Sequence, residues 1–289
     1  MAKEKPVAIC ADDYALSFGV SVGILKALAE GRVSATSAMV NSPRWPAMGR
    51  ELIRFADQAD IGLHLNLTLG RPLGPMPAFA PDGRFPAMGR VARRALAGRL
   101  PLDEIRAEIG RQLDRFETIV GRPPDHIDGH QHVHALRGVR VALFDVLAAR
   151  GLEETLWIRD PGDGAHRIAL RRANARKALA VRALAAGFRR AARRRGFRLN
   201  DGFAGFSDFN PGRDYAVAFE TYLRAPGRRH LIMCHPGHVD EDLRRLDPVT
   251  VTREQELAFL LSPALPVALA RHNMRLVRPS SFFDPRSTD

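Results

Sequence analysis

Val7-Ala8-Ile9-Cys10-Ala11-Asp12-Asp13 is a short apolar run of strand character that ends in two adjacent carboxylates. Folds that alternate strands and helices place their sites at strand ends. Two neighbouring like charges repel, and nothing in packing asks for them here. Taken alone, the pair would be a solvated turn, since Asp is common where strands stop. The functional alternative divides the labour: one Asp binds a cation, which eases the second charge, and the other stays free as a general base.

Outward from this run the pattern repeats. Val33 to Val40, Asp60 to Thr68, His126 to Asp128, Thr155 to Arg159, His230 to Cys234 and Met274 to Val277 are further strand candidates. Helical patterns separate them. Ser17 caps one that runs to about Glu30, with Gly31 at its stop. Others cover Pro46 to Gln58, Leu102 to Val120 behind Pro101, and Val139 to Arg150. Gly70 to Pro86 is rich in Pro and Gly and reads as a long loop of the kind that lines a site. Strands alternating with helices predict a parallel sheet, and roughly seven of them in one chain favour an α/β barrel built as a single domain over 1–289.

Composition narrows the class. Of 289 residues, 45% are hydrophobic and 26% charged, which suits a folded protein with its own core. Cys10 and Cys234 sit in apolar runs and read as buried free thiols. The first residues lack a signal-peptide pattern and no stretch is long and apolar enough for a membrane span, so the expectation is a cytoplasmic protein. The net charge of +12 suggests nucleic acid until it is located. Twelve Lys and Arg residues and no acid lie between Arg167 and Arg198; outside that segment 32 basic residues face 32 acidic ones. The segment at 166–196 reads as one helix, or two broken near Gly187, with Val181, Leu184 and Phe188 as an apolar stripe. A solvated surface helix is the plain interpretation. A basic amphipathic helix against anionic lipid headgroups is the sharper one, which would put the protein at the inner face of a membrane. Nucleic acid ranks last, because no aromatic stacking platform accompanies the arginines.

Histidines supply the remaining chemistry. His64 sits among leucines at a strand end, where a lone His is more often a core residue than a ligand. Asp128, His130, His132 and His134 fall at alternating positions, so in an extended segment they point the same way. Ile127 and Val133 interleave with them, which argues against a mere surface cluster. Neutral imidazole is a good metal ligand, and Asp128 is placed to orient one. His235 ends another strand, in Met233-Cys234-His235-Pro236-Gly237-His238. Two His and one Asp around a cation suit hydrolysis, and also oxygenases; the extra Asp favours hydrolysis, which needs a base.

The chain resembles the YdjC-like carbohydrate deacetylase family, which includes chitooligosaccharide deacetylases and a hopanoid-associated branch. The matching pieces are ADDYALSFGVSVGILKALAEGRVSATSAMVNSP (11–43), IGLHLNLTLGRPL (61–73), PPDHIDGHQHVH (123–134), NDGFAGF (200–206) and MCHPGHVD (233–240). Tyr14-Ala15 stands where the family usually has Phe-Gly. The resemblance implies a distorted TIM-like (β/α) barrel, similar to NodB-type polysaccharide deacetylases. It implies Asp13, His64 and His130 as ligands of one divalent metal ion, zinc or magnesium, with Asp12 as general base. It gives His235 as proton donor or transition-state stabiliser, with Asp128, His132 and His134 binding substrate or packing around the site. The implied substrate is an N-acetylated amino sugar, oligosaccharide or lipid-linked, the hopanoid-linked form included. The alternatives are another amide or ester hydrolase on the same site, and a basic membrane-surface protein on this fold. A homo-oligomer is compatible with all three.

Overall fold

The structure is a computed structural model and describes residues 4–284. Nine strands form one sheet: β1 (Lys5–Tyr14), β2 (Ala35–Ala38), β3 (Asp60–Leu65), β4 (His126–Gly129), β5 (Trp157–Ile158), β6 (Arg198–Leu199), β7 (Gly202–Ala204), β8 (His230–Cys234) and β9 (Met274–Leu276). The helices that alternate with them are α1 (Phe18–Ala29), α2 (Trp45–Leu52), α3 (Met88–Leu96), α4 (Leu102–Val120), α5 (Val139–Ala149), α6 (Ala165–Arg171), α7 (Ala175–Leu184), α8 (Phe188–Arg194), α9 (Tyr215–Tyr222), α10 (Glu241–Leu246), α11 (Val251–Leu261) and α12 (Ala264–Arg271).

Every strand pair is parallel, in the order β6-β5-β4-β3-β2-β1-β8-β7, with β9 on the start of β1. The two ends of this path, β6 and β7, are consecutive in the chain and separated only by Asn200 and Asp201. Three Cα–Cα steps reach at most about 11 Å. The sheet must therefore curl until its edges nearly meet. It is a half-barrel, the distorted TIM-like form expected, with helices around the outside.

Strand alternation builds two apolar layers. Val7, Ile9, Ala11, Ile61, Leu63, Ile127, Ile158 and Ile232 face the helices and join the main core. Ala8, Cys10, Ala35, Trp157, Phe203, Leu231 and Met233 fill the inside of the curl. Helix α4 shows how the outer layer is sealed. Ile105, Ile109, Leu113 and Phe116 recur at helical spacing and are buried, each worth about 1.5–3 kcal/mol. Asp103 and Glu104 complement the positive helix start, and Gly121 closes the other end with φ 79°.

The expected helices at Ser17–Glu30 and Leu102–Val120 are present, and Ser17 Oγ accepts from Val20 N as a cap. Both cysteines are buried and unpaired. Strands β6 and β7 go beyond the sequence expectation of about seven; at two and three residues they are too short to show a period. The basic segment is three helices rather than one or two. Left-handed backbone at Arg172 and Asn174, besides Gly187, breaks it into α6, α7 and α8. Several of its bases are turned inward: Arg171 donates to Asp163 and to the Phe203 and Arg224 carbonyls, and Arg189 pairs with Asp160. No described helix is long and apolar enough to cross a membrane.

Candidate active site

On six strands, β1 to β5 and β8, the inner side runs into a polar residue at or just past the strand end. Continuing the inward parity past the last apolar side chain gives Asp12 after Cys10 and Ser37 after Ala35. By the same count it gives His64 after Gly62, Asp128 after His126, Arg159 after Trp157 and His235 after Met233. One rule of alternation thus delivers six polar side chains to one end of the curl.

Asp13 has the wrong parity and should face the helices. It reaches the site because the β1–β2 register slips between Ala11 and Tyr14, where Asp13 adopts φ 68°. Such a bulge re-aims a side chain, and Asp tolerates the left-handed region better than most residues. The acidic pair can act at one place only through this distortion.

Three ligand-type atoms meet there. Asp13 Oδ1 lies 3.2 Å from His64 Nε2 and 3.0 Å from His130 Nδ1. These three residues, all buried, form a group able to hold a metal ion. Donors 2.0–2.1 Å from a shared ion sit about 3.3 Å apart in a tetrahedron and about 3 Å in an octahedron, so the residues present fit a divalent ion. The other side of the His64 ring supports this. Its Nδ1–H donates to Asp128 Oδ1 at 2.7 Å, which leaves Nε2 for the ion. Burial disfavours a charged His64 ring, but Asp128, then Asp13 and Asp12, outweigh it and raise the pKa to about 10. Burial likewise opposes the Asp13 charge, and Arg253 and His130 overcome it and hold the carboxyl well below its usual range.

Asp12 stands beside this group with both oxygens engaged. Arg159 Nη1 and Nη2 donate to Asp12 Oδ2 and Oδ1, each at 2.6 Å, and Nη2 also pairs with Asp128 Oδ2 at 2.5 Å. The guanidinium is fully buried and already serves as the cation for the Asp12–His64–Asp128 set. Cys10, His126 and Asp128 form a third close group, but both Asp128 oxygens are committed to His64 and Arg159.

The histidine cluster departs from the extended geometry expected of it. Strand β4 stops at Gly129, and 130–135 is a tight helical turn with left-handed Gln131 and His132. A side chain at Gly129 would strike His134, since a Cβ there would lie 2.9 Å from its ring. The three imidazoles consequently diverge. His130 joins Asp13, His132 packs edge-on against Phe203 and Phe206, and His134 donates to the Arg159 carbonyl at 2.8 Å. Past His64 the chain leaves the strand, and Asn66 caps the following turn through Thr68 N and Leu69 N.

A cavity of about 460 Å³ opens over the site, a size that suits a small ligand. Asp12, Asp13, His64, His130, His132 and His235 all line it. Asp128 and His134 lie behind. The loop from Gly70 to Pro86 does not line this cavity; Leu69 and Met88 on its flanks do. So do Lys177, Val181 and Leu184, which makes helix α7 of the basic segment a wall of the cleft.

Arg159, Arg253 and Glu256 were not anticipated from sequence. Arg253 Nη2 donates to Asp13 Oδ2 at 2.7 Å and to Asp247 Oδ2 at 2.8 Å. Glu256, one turn further along α11, accepts the His235 N–H at 2.6 Å, and burial raises its pKa to about 7. Burial lowers the His235 pKa to about 4, so its ring is neutral near pH 7.

Comparison with known proteins identifies the family and the fold. The family model described as YdjC-like protein matches residues 6–271. A chitooligosaccharide deacetylase of Klebsiella pneumoniae is 32% identical over 281 residues, covering 94% of this chain and 97% of that protein. A solved structure from Enterococcus faecalis, provisionally described as a cellobiose-phosphate cleavage protein, superposes with TM-score 0.72 at 23% identity over 96% of this chain and 99% of that one. A peptidoglycan N-acetylglucosamine deacetylase, Bc1960, shares the fold more distantly, with TM-score 0.51 at 13% identity over 97% and 91% of the two chains. With the family model and the Klebsiella relative each spanning nearly the whole sequence, the chain belongs to the YdjC-like family.

Proposed function

We propose that this protein is a metal-dependent hydrolase that removes the acetyl group from an N-acetylated amino sugar, with residues 1–289 acting as one catalytic domain. The observation that carries the reading is the convergence of Asp13 Oδ1, His64 Nε2 and His130 Nδ1 beside Asp12 on the floor of a ligand-sized cavity. The naming of the Klebsiella relative as a chitooligosaccharide deacetylase supports the substrate class.

Asp13, His64 and His130 would hold the ion. Two imidazoles and a carboxylate suit zinc, or another transition ion, better than magnesium, which prefers oxygen. When bound, the ion supplies Lewis acidity and an acidified water. The chain's own residues do the rest. Arg159 balances the Asp12 charge and fixes its carboxylate, which takes the proton of the attacking water. The amine leaves only if protonated, and the proton available is the one Asp12 has taken. His235, neutral at rest, passes that proton on or donates its one N–H to the developing charge. His132 lies against the substrate; Asp128 and His134 hold His64 and Arg159.

A lipid-linked sugar is a reading within this class, favoured by two features. A hollow of about 350 Å³ adjoins the cleft, shares Leu69 and Leu246 with it, and is lined by Leu16, Met39 and Pro43. It offers apolar space next to a sugar-sized site. Leu170 and Leu179, 63% and 45% exposed on α6 and α7, sit among exposed arginines and would meet the membrane carrying such a lipid. Acetate release from N,N′-diacetylchitobiose and from an octyl glycoside of N-acetylglucosamine tests both levels. Release from neither, with zinc supplied, would refute deacetylation of amino sugars.

A further inference from the structure

Helix α11 brings Arg253 to the cleft wall between Asp13 and Asp247, all three lining the cavity. The side chain is 1% exposed. Its Nε donates to the Val249 carbonyl at 3.1 Å, and Nη2 serves both carboxylates. Nη1 is buried and has no hydrogen-bond partner. Buried donors are nearly always satisfied, and an orphan in a native fold calls for an explanation. Other buried arginine nitrogens lack partners, those of Arg159 and Arg167 among them, but of the described arginines with such a nitrogen only Arg253 lines this cavity, beside His132 and His235, whose Nδ1 atoms are unpartnered too but belong to neutral rings. The three bonds on Nε and Nη2 fix the guanidinium plane, so Nη1 cannot swing away to find another acceptor. It is a fixed, charged donor that the protein itself leaves unused, and because it is closed to solvent a substrate oxygen must part its cover to reach it.

We propose that Arg253 is a catalytic residue whose Nη1 donates a hydrogen bond to the acetyl oxygen of the substrate, most strongly when that oxygen carries the developing negative charge. This rests on the deacetylase reading and adds a donor to it. As the water oxygen bonds to the carbonyl carbon, the π pair moves onto the acetyl oxygen, and Arg253 stabilises that charge without giving up a proton. When the C–N bond breaks, the pair returns and the nitrogen takes the proton that Asp12 removed from water. Stabilisation of this kind appears in kcat more than in KM, because it grows with the charge.

The test separates this role from the one Arg253 plays at Asp13. In Arg253→Lys and Arg253→Gln, zinc affinity is measured by calorimetry, and kcat and KM on the amide substrate are then measured at saturating zinc. The expected result is a kcat lower by about 10²- to 10³-fold that added zinc does not restore, with KM changed far less. A kcat within about tenfold of the unsubstituted protein, or one restored by zinc, overturns the proposal. Should the variants fail to fold, acetate soaked into crystals of the unsubstituted protein decides the matter without turnover. Arg253 Nη1 within hydrogen-bond distance of the acetate supports the assignment, and acetate seated in the cleft away from it refutes it. A protein that binds acetate on Arg253 but releases none from any amino sugar would place the error in the functional reading instead.

Discussion

Replacing Arg159 by Met should destabilise the fold by an amount that depends strongly on pH. The guanidinium is fully buried and makes three contacts of 2.5–2.6 Å, two to Asp12 and one to Asp128. Met fills much of the volume but leaves buried Asp12 without its cation and buried Asp128 with His64 alone. Breaking a buried pair costs about 3–5 kcal/mol. Protonation sets a ceiling, because an orphaned acid can always escape by becoming neutral. With an ordinary Asp pKa of 3.9, neutralising one acid at pH 7 costs about 4 kcal/mol, and at pH 5 about 1.5 kcal/mol. The loss should therefore lie between about 3 and 8 kcal/mol near neutrality and shrink by up to about 3 kcal/mol per acid on moving to pH 5. In the unsubstituted protein burial opposes ionisation of Asp128, but Arg159 and His64 overcome it and hold that carboxyl far below its usual range, so it stays ionised across this interval. Urea unfolding of both proteins with chelator present, at several pH values from 7.5 to 5, measures the difference. A loss under about 1 kcal/mol, or one that does not change with pH, would refute the claim that Arg159 is the counter-ion of both acids.

Asp12→Asn should keep zinc affinity and lose nearly all turnover, whereas His64→Ala should lose zinc affinity as well; calorimetry beside acetate release separates them, and near-normal activity in Asp12→Asn would remove the assigned base. His230, buried at the start of β8 with Nε2 on the Tyr222 carbonyl, has its pKa lowered by burial from 6.5 to about 4. The unfolded chain binds the extra proton first, so stability present above pH 6.5 is lost as pH falls toward 4, by up to about 3 kcal/mol. In His230→Gln that part of the acid loss should vanish, and urea curves of the two proteins should draw together toward pH 4; a pH-independent offset would contradict it. If α6 to α8 meet a membrane, the protein should pellet with anionic vesicles and less so as salt rises, while binding no better than to neutral vesicles would end that idea.

The legible part of the site was the part that strands write. Asp12, His64 and His235 stood out because each sits at the end of a strand-like run, and that position became one end of the curl; His130 stood out only through its alternating cluster. Arg159 obeyed the same rule, directly after Trp157-Ile158, yet 40 of the 44 basic residues are arginine and one more carried no signal. Counting inward parity along β5 would have found it. Arg253 and Glu256 had no such marker, for they come from a helix far along the chain and their spacing of three is common on any helix. The bulge that turns Asp13 inward was hidden because no Gly marks it, and the divergence of His130, His132 and His134 because alternation says nothing when the backbone leaves the strand. Strands β6 and β7 were invisible for want of length, although the two residues between them are what force the sheet to curl.

The account stands on one place in space where residues 13, 64 and 130 meet a cation. Crystals grown with zinc and measured across its absorption edge test this directly. The account predicts a single anomalous peak within about 2.0–2.2 Å of Asp13 Oδ1, His64 Nε2 and His130 Nδ1, with Asp12 still paired to Arg159. A peak between Cys10, His126 and Asp128, or ordered His64 and His130 with no peak between them, would contradict it.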